Sequence, residues 1–413
     1  MNPVKPSLCL RPPLRLVWSW AGGYGARPKL AGGLALVHSR QGTVEALSEE
    51  KGEMTWSFRP PGRGGSAAPG LVVNDSLLAT LGPKERYGLL ALDSGRLIKE
   101  IGWRHQGRLK FEGGLIFCDG SSDLCARVPW EVKPLWQIDL GQEPSQWTAG
   151  DFAVASGRLV YGLKEGPVVC VDAKTGQELW RTSIADLTTG GVNEVERPGE
   201  VRGPIAVEGD VAIVESYPQH VVGISLKTGK RLWTHVGFPM AGLYRGRYYV
   251  SAGWLHPQPG RLTRRKALQW PKDVDKGTWG GFLISETHIF VASLLGEIVA
   301  WDRETGKHAW HAQVPGANGQ ISSEPLVSAN GRLYYVDQNQ RLYCFEEVNP
   351  TDPILKAQRA ATADRGGGRV VAAGADVATV PKAAFGTKAK TRPARGGSLA
   401  SRAPASRGSR RTS

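Results

Sequence analysis

Two stretches hold the residues best suited to bind something. Residues 185–203 carry Glu194, Glu196, Arg197, Glu200 and Arg202, and residues 252–264 carry Trp254, His256, Arg261 and Arg264. Carboxylates beside guanidinium groups can form charge-assisted, directional hydrogen bonds with a partner. Aromatic side chains offer apolar area with a polar handle. Both stretches read as long loops, which on a rigid scaffold are usual carriers of binding residues; the alternative reading is tolerated surface insertion. Trp147 and Trp279 stand just before β-rich runs and are further candidates for ligand contact, against packing as the plainer role. The candidate binding set is therefore Trp254, His256, Arg261, Arg264, Glu194, Arg197, Trp147 and Trp279.

No catalytic constellation stands beside them. A Gly-x-Ser-x-Gly turn is absent, and Gly62-Arg63-Gly64-Gly65-Ser66 lacks the Gly-Lys-Ser/Thr ending of a phosphate loop. Asp273 and Asp275 lack the onward ligand spacing of a calcium loop. The eight histidines form no zinc-like cluster. His308 and His311 share one strand at odd spacing, so they are expected on opposite faces. The five cysteines are Cys9, Cys118, Cys125, Cys170 and Cys344, an odd and scattered set. Cys118 and Cys125 fall on neighbouring strands of one expected hairpin, where a bridge and a pair of buried free thiols are the alternatives. No catalytic or metal-binding residue is assigned.

The elements that must position the candidates follow from composition and repetition. Among 413 residues are 53 glycines and 14 tryptophans, a mixture suited to many short strands and tight turns. No apolar run reaches the roughly 18–20 residues of a membrane helix. Around Leu8-Cys9-Leu10, the residues Arg11, Pro12, Pro13 and Arg15 interrupt any export-type apolar core. A cytoplasmic chain is the expectation. The net charge of +14 is concentrated late: from Thr351 onward thirteen Lys and Arg face three Asp. That stretch is poor in aromatics and reads as disordered; nucleic acid or an anionic surface is its possible partner, against compositional bias without a role.

Self-similarity decides the organisation. Val171-Asp172-Ala173-Lys174-Thr175-Gly176-Gln177-Glu178-Leu179-Trp180 recurs as Ile224-Ser225-Leu226-Lys227-Thr228-Gly229-Lys230-Arg231-Leu232-Trp233 and as Trp301-Asp302-Arg303-Glu304-Thr305-Gly306-Lys307-His308-Ala309-Trp310. Weaker copies end at Trp56 and Trp103. In each strong copy Asp or Ser organises a turn, Gly176, Gly229 or Gly306 supplies a positive φ, and Trp180, Trp233 or Trp310 follows four residues later. Two further strands precede each turn, making four antiparallel strands in about 35 residues, the period of a propeller blade.

Over residues 16–347 this pattern resembles the pyrroloquinoline-quinone-like (PQQ-like) repeat family, in which a Thr-Gly turn precedes a tryptophan that docks between blades. The resemblance implies an all-β fold, a β-propeller of four-stranded antiparallel blades. Fourth strands are expected near Trp18, Trp56, Trp103, Trp136, Trp180, Trp233, Trp270 and Trp310, giving eight blades, or seven if the Trp270 region is a loop. The N-terminal strand around Trp18 would complete the last blade, which otherwise has three strands. The domains are then 1–13 as an N-terminal extension, 14–347 as the propeller and 348–413 as the basic tail. Quinone-dependent enzymes of the wider family carry adjacent cysteines, an Asp base and calcium ligands; the chain has no Cys-Cys pair, so no quinone or other cofactor is expected. The expected function is a non-enzymatic, monomeric binding or scaffold propeller that uses loops on one face for a protein or small ligand. The alternatives are a quinoprotein-like oxidoreductase with a degenerate site and a nucleic-acid-associated protein acting through its tail.

Overall fold

The computed structural model describes residues within 10–348. Outside it lie residues 1–9 and 349–413, the internal segments 61–66, 141–151, 188–199, 269–282 and 315–320, and shorter loop pieces. The described strands form eight four-stranded antiparallel sheets. Sheets one to seven span residues 29–58, 67–101, 109–139, 153–183, 200–236, 239–264 and 283–313. Sheet eight combines residues 321–347 with Leu14–Trp20. The architecture is a β-propeller.

Each sheet is built by sequential hairpins, and each buries apolar faces against the next. One core joins sheets one and two through Leu36, Trp56, Leu77 and Leu90. Another joins three and four through Phe117, Trp136, Leu159 and Val171. A third joins four and five through Val160, Trp180, Val214 and Ile224. Middle strands are apolar at nearly every position because both of their faces are covered, as in Val168-Val169-Cys170-Val171.

Leu14–Trp20 pairs antiparallel with Leu342–Glu347, as expected for the closing strand. The junction is dense in contacts. Trp18, Leu47, Tyr334 and Cys344 share a core that spans sheets eight and one. Arg15 pairs with Glu346 at 2.6 Å. The Trp18 indole N–H donates to the Glu49 carbonyl at 3.0 Å, Arg332 donates to the same oxygen, and Asn330 donates to the Glu49 carboxylate at 2.8 Å. Pairing Leu14–Trp20 with the outer edge of the last hairpin removes an exposed strand template.

The repeat signature is a lock between consecutive sheets. Asp172 Oδ1 accepts from Lys174 N, Thr175 N and Thr175 Oγ1 at 3.0, 2.8 and 3.0 Å. Those Thr175 hydrogen bonds hold the Asp172 carboxyl below its ordinary pKa. Gly176 closes the turn at φ 73°. The indole of the preceding sheet, Trp136, lies on this glycine: a Cβ there would stand 2.7 Å from the ring. Trp136 also donates to the Ala173 carbonyl at 3.0 Å. The same arrangement sets Trp18 on Gly52, Trp56 on Gly95 and Trp180 on Gly229. Glycine is thus required twice, by backbone hand and by indole contact.

Two sequence expectations are corrected. Residues 252–264 are not a loop: Gly253–His256 and Arg261–Arg264 are the third and fourth strands of sheet six. The fourth strand there is therefore Arg261–Arg264, and Trp270 lies outside the described residues. The second correction concerns the paired histidines. His308 pairs with Trp301 and His311 with Val299, because a bulge at Ala309 inserts one residue into the strand. The inserted residue changes the parity, both imidazoles share a face, and His311 Nδ1 lies 3.1 Å from His308 Nε2.

Candidate functional site

Sheet six lacks both marks of the strong repeat copies. It has four strands but neither a Thr-Gly turn nor a tryptophan after it. Its third and fourth strands place Trp254 opposite Thr263 and His256 opposite Arg261. Gly253 stands opposite Arg264, so the four candidates of this region belong to one short hairpin. Glu194, Arg197, Trp147 and Trp279 lie outside the described residues. The start of the segment that carries Glu194 and Arg197 is anchored: Asp186 pairs with Arg231 at 2.8 Å, which holds the Asp186 carboxyl below its ordinary range.

The neighbouring sheets adapt to this change. Trp233 lies over Gly223, its own cross-strand neighbour, where a Cβ would stand 2.0 Å from the ring. It packs with Val211, Ile213, Val221, Tyr248 and Leu262, so it joins sheets five and six without the turn-glycine lock used elsewhere. The structural role expected for Trp180 holds in the lock described above; Trp310 is half-buried against the core of sheets seven and eight.

Beside Trp233, sheet five buries a carboxylate that the sequence reading missed. Glu215 is 5% exposed, and the Tyr248 hydroxyl of sheet six donates to it. Burial pushes the Glu215 carboxyl up to about 7, against the opposing effect of that hydrogen bond. Burial likewise raises the Tyr248 phenol. On the other side of sheet six, Arg247 pairs with Glu304 at 3.0 Å and Arg303 lies over the Tyr249 ring at 5.8 Å. A charged residue inside the run Val211-Ala212-Ile213-Val214-Glu215 was the available signal.

A second missed feature lies on the outer strands. Ile98, Leu135, Leu179 and Leu232 are 47%, 53%, 44% and 48% exposed. Ile98, Leu179 and Leu232 are the extra residues at strand bulges in sheets two, four and five. Leu135 occupies the corresponding place in sheet three, directly before Trp136. The recurring Leu-Trp pair at 135–136, 179–180 and 232–233 was its signature. Large aliphatic side chains held in water at matched positions suit an apolar protein surface.

Among the described residues, no group of three His, Cys, Asp or Glu side chains converges on a cation site. The four described cysteines are free and buried within sheets.

The family model described as outer membrane protein assembly factor BamB matches residues 131–247 and 261–380, more than half of the chain. The chain belongs to this PQQ-like repeat family. An outer membrane protein assembly factor BamB from Nitrosomonas eutropha is 24% identical over 250 residues, 52% of this chain and 52% of the relative. Its counterpart from Burkholderia pseudomallei is 21% identical over 48% of this chain and 63% of the relative. The chain thus spans about half to two-thirds of these BamB relatives. Among solved structures, quinohemoprotein alcohol dehydrogenase from Comamonas testosteroni shares the fold with a TM-score of 0.55, at 12% identity, over 82% of this chain and 78% of that one.

These BamB relatives correct the expected location. Outer membrane protein assembly lies outside the cytoplasm, so the cytoplasmic expectation does not stand. It rested only on the interrupted apolar stretch around Leu8-Cys9-Leu10. No helix among the described residues is long and apolar enough to cross a membrane. Nothing among the BamB relatives supports the nucleic-acid alternative.

Proposed function

We propose that this chain is a non-enzymatic scaffold that binds polypeptides in outer membrane protein assembly. Its binding surface is the arc of sheets two to six. The observation that carries the reading is the row Ile98, Leu135, Leu179 and Leu232, exposed at equivalent positions of four consecutive sheets. About half of each of these side chains is left uncovered by the fold, and this area offers a partner about 25 cal/mol per Å² covered. The next sheet carries Trp254, His256, Arg261 and Arg264 on one hairpin, and these residues are assigned to the same surface. Glu194, Arg197, Trp147 and Trp279 remain candidate contacts on sequence grounds. The partner class is an outer membrane protein or another component of its assembly, as the BamB relatives' name indicates.

The test is binding of the purified chain to an unfolded outer membrane β-barrel protein held in low urea. In the triple variant Leu135→Ser/Leu179→Ser/Leu232→Ser, affinity falls at least tenfold while the melting midpoint stays near that of the parent. Trp254→Ala/His256→Ala/Arg261→Ala gives a further loss. Unchanged affinity in both variants refutes the proposed surface.

A further inference from the structure

Sheet three contains a feature that the binding reading does not use. Its middle strands, Leu115–Asp119 and Asp123–Arg127, pair so that Cys118 and Cys125 are directly opposed. Directly opposed residues of antiparallel strands have Cα atoms about 4.5–5.5 Å apart, within the 4.4–6.8 Å span of disulfides. Both cysteines are 0% exposed. The Cys118 thiol points across the pair, 3.7 Å from the Cys125 carbonyl oxygen. Next on the same face is Arg127, opposite Ile116, with its guanidinium over the Trp103 ring at 5.2 Å. A hydrogen bond from Cys118 favours the Cys125 thiolate, and Arg127 adds to this effect. Cys170 and Cys344 belong to sheets four and eight, and neither is opposed to another cysteine in the strand registers.

We propose that Cys118 and Cys125 are a redox pair that closes to a cross-strand disulfide under a small-molecule disulfide oxidant. The Cys125 thiolate attacks one sulfur of the oxidant, forms a mixed disulfide and expels one thiolate. The Cys118 thiolate then attacks the Cys125 sulfur, forms the Cys118–Cys125 bond and expels the second thiolate. The two thiol protons of the protein end on the two released thiols, so two electrons pass from the cysteines to the oxidant. The bond staples the two middle strands on either side of residues 120–122. Compartments outside the cytoplasm are where such a bond persists. The proposal rests on register and chemistry and is independent of any binding partner.

The test uses the full chain. Reduced protein is incubated with oxidised glutathione, once folded and once while refolding from urea, then acid-quenched, denatured and treated with a maleimide. The reduced chain carries five cysteines and takes five labels. The oxidised chain takes three, and the tryptic peptide 111–127 loses two hydrogens and both labels. Dithiothreitol restores all five. Cys118→Ser and Cys125→Ser lose the change, while Cys170→Ser and Cys344→Ser keep it. Two labels on peptide 111–127 in both arms, glutathione left on either cysteine, or a bond from either to Cys9, Cys170 or Cys344 overturns the proposal.

Discussion

Glu215 makes stability depend on pH with a sign opposite to that of most carboxylates. Its carboxyl is pushed up to about 7 by burial from an ordinary value of 4.5. The folded state is therefore the stronger proton binder between about pH 4.5 and 7, and stability falls as pH rises through that window. Each tenfold change in proton affinity is worth about 1.4 kcal/mol, so ionising this carboxyl costs the fold on the order of 3 kcal/mol above pH 7. Glu215→Gln removes the titration and retains an oxygen that can accept from Tyr248. Urea melts of both proteins from pH 4.5 to 8 provide the assay. The variant gains on the parent as pH rises, by up to about 3 kcal/mol, and the gap levels off above pH 7 to 8. Curves that stay parallel across the range, or a gap that widens toward acid, refute the reasoning.

Other predictions follow from the locks, the seam and the donor set. Gly229→Ala forces both an αL alanine and a Cβ 2.8 Å from Trp180, whereas Gly157→Ala, at the same φ of 72°, meets nothing within 4 Å. The first costs about 2–4 kcal/mol and the second about 1–2, measured as urea midpoints; equal costs would show that the indole contact is unimportant. Removing residues 1–22 exposes the edge of Leu342–Glu347 and strips Trp18 from the seam, so the melting midpoint falls and the chain self-associates on size exclusion. Unchanged cooperative melting of that truncation would refute the seam. Titration with pyrroloquinoline quinone and calcium ion leaves the quinone spectrum unchanged, because no described donor set gathers for them; saturable binding would reverse that reading.

The propeller was legible because its turn chemistry is unforgiving. A position that needs positive φ and also lies under an indole accepts only glycine at low cost, so Gly176 and Gly229 mark their turns openly. The closing strand was legible because Leu14–Trp20 has strand character without a hairpin partner of its own. A sixth unit was expected from the spacing, but its strand positions were not legible. Its last two strands have four residues each, too few to display a period, and Pro257-Gln258-Pro259-Gly260 between them reads as a break. The histidine pair was misread for a different reason. Alternation along a strand assumes one residue per step, and the bulge at Ala309 violates it. Half of the candidate binding residues lie outside the described part of the chain, and the others became a hairpin instead of a loop.

The exposed row can be separated from the demands of the fold. The bulge before the docking tryptophan recurs around the ring, so its backbone geometry is a property of the repeat. The side chain it projects is not: the position is Thr55 in sheet one and Ala309 in sheet seven, both exposed. A small or polar residue therefore satisfies the bulge. Leucine at 179 and 232 adds exposed apolar area that the repeat does not require. A solitary exposed leucine needs no explanation. Sheet eight also has an aliphatic residue here, Val17, but it is half-buried against the seam core, so the exposed aliphatic row is confined to sheets two to five. Closure constrains every sheet alike, so it cannot produce that asymmetry. A partner that meets only one arc of the ring can.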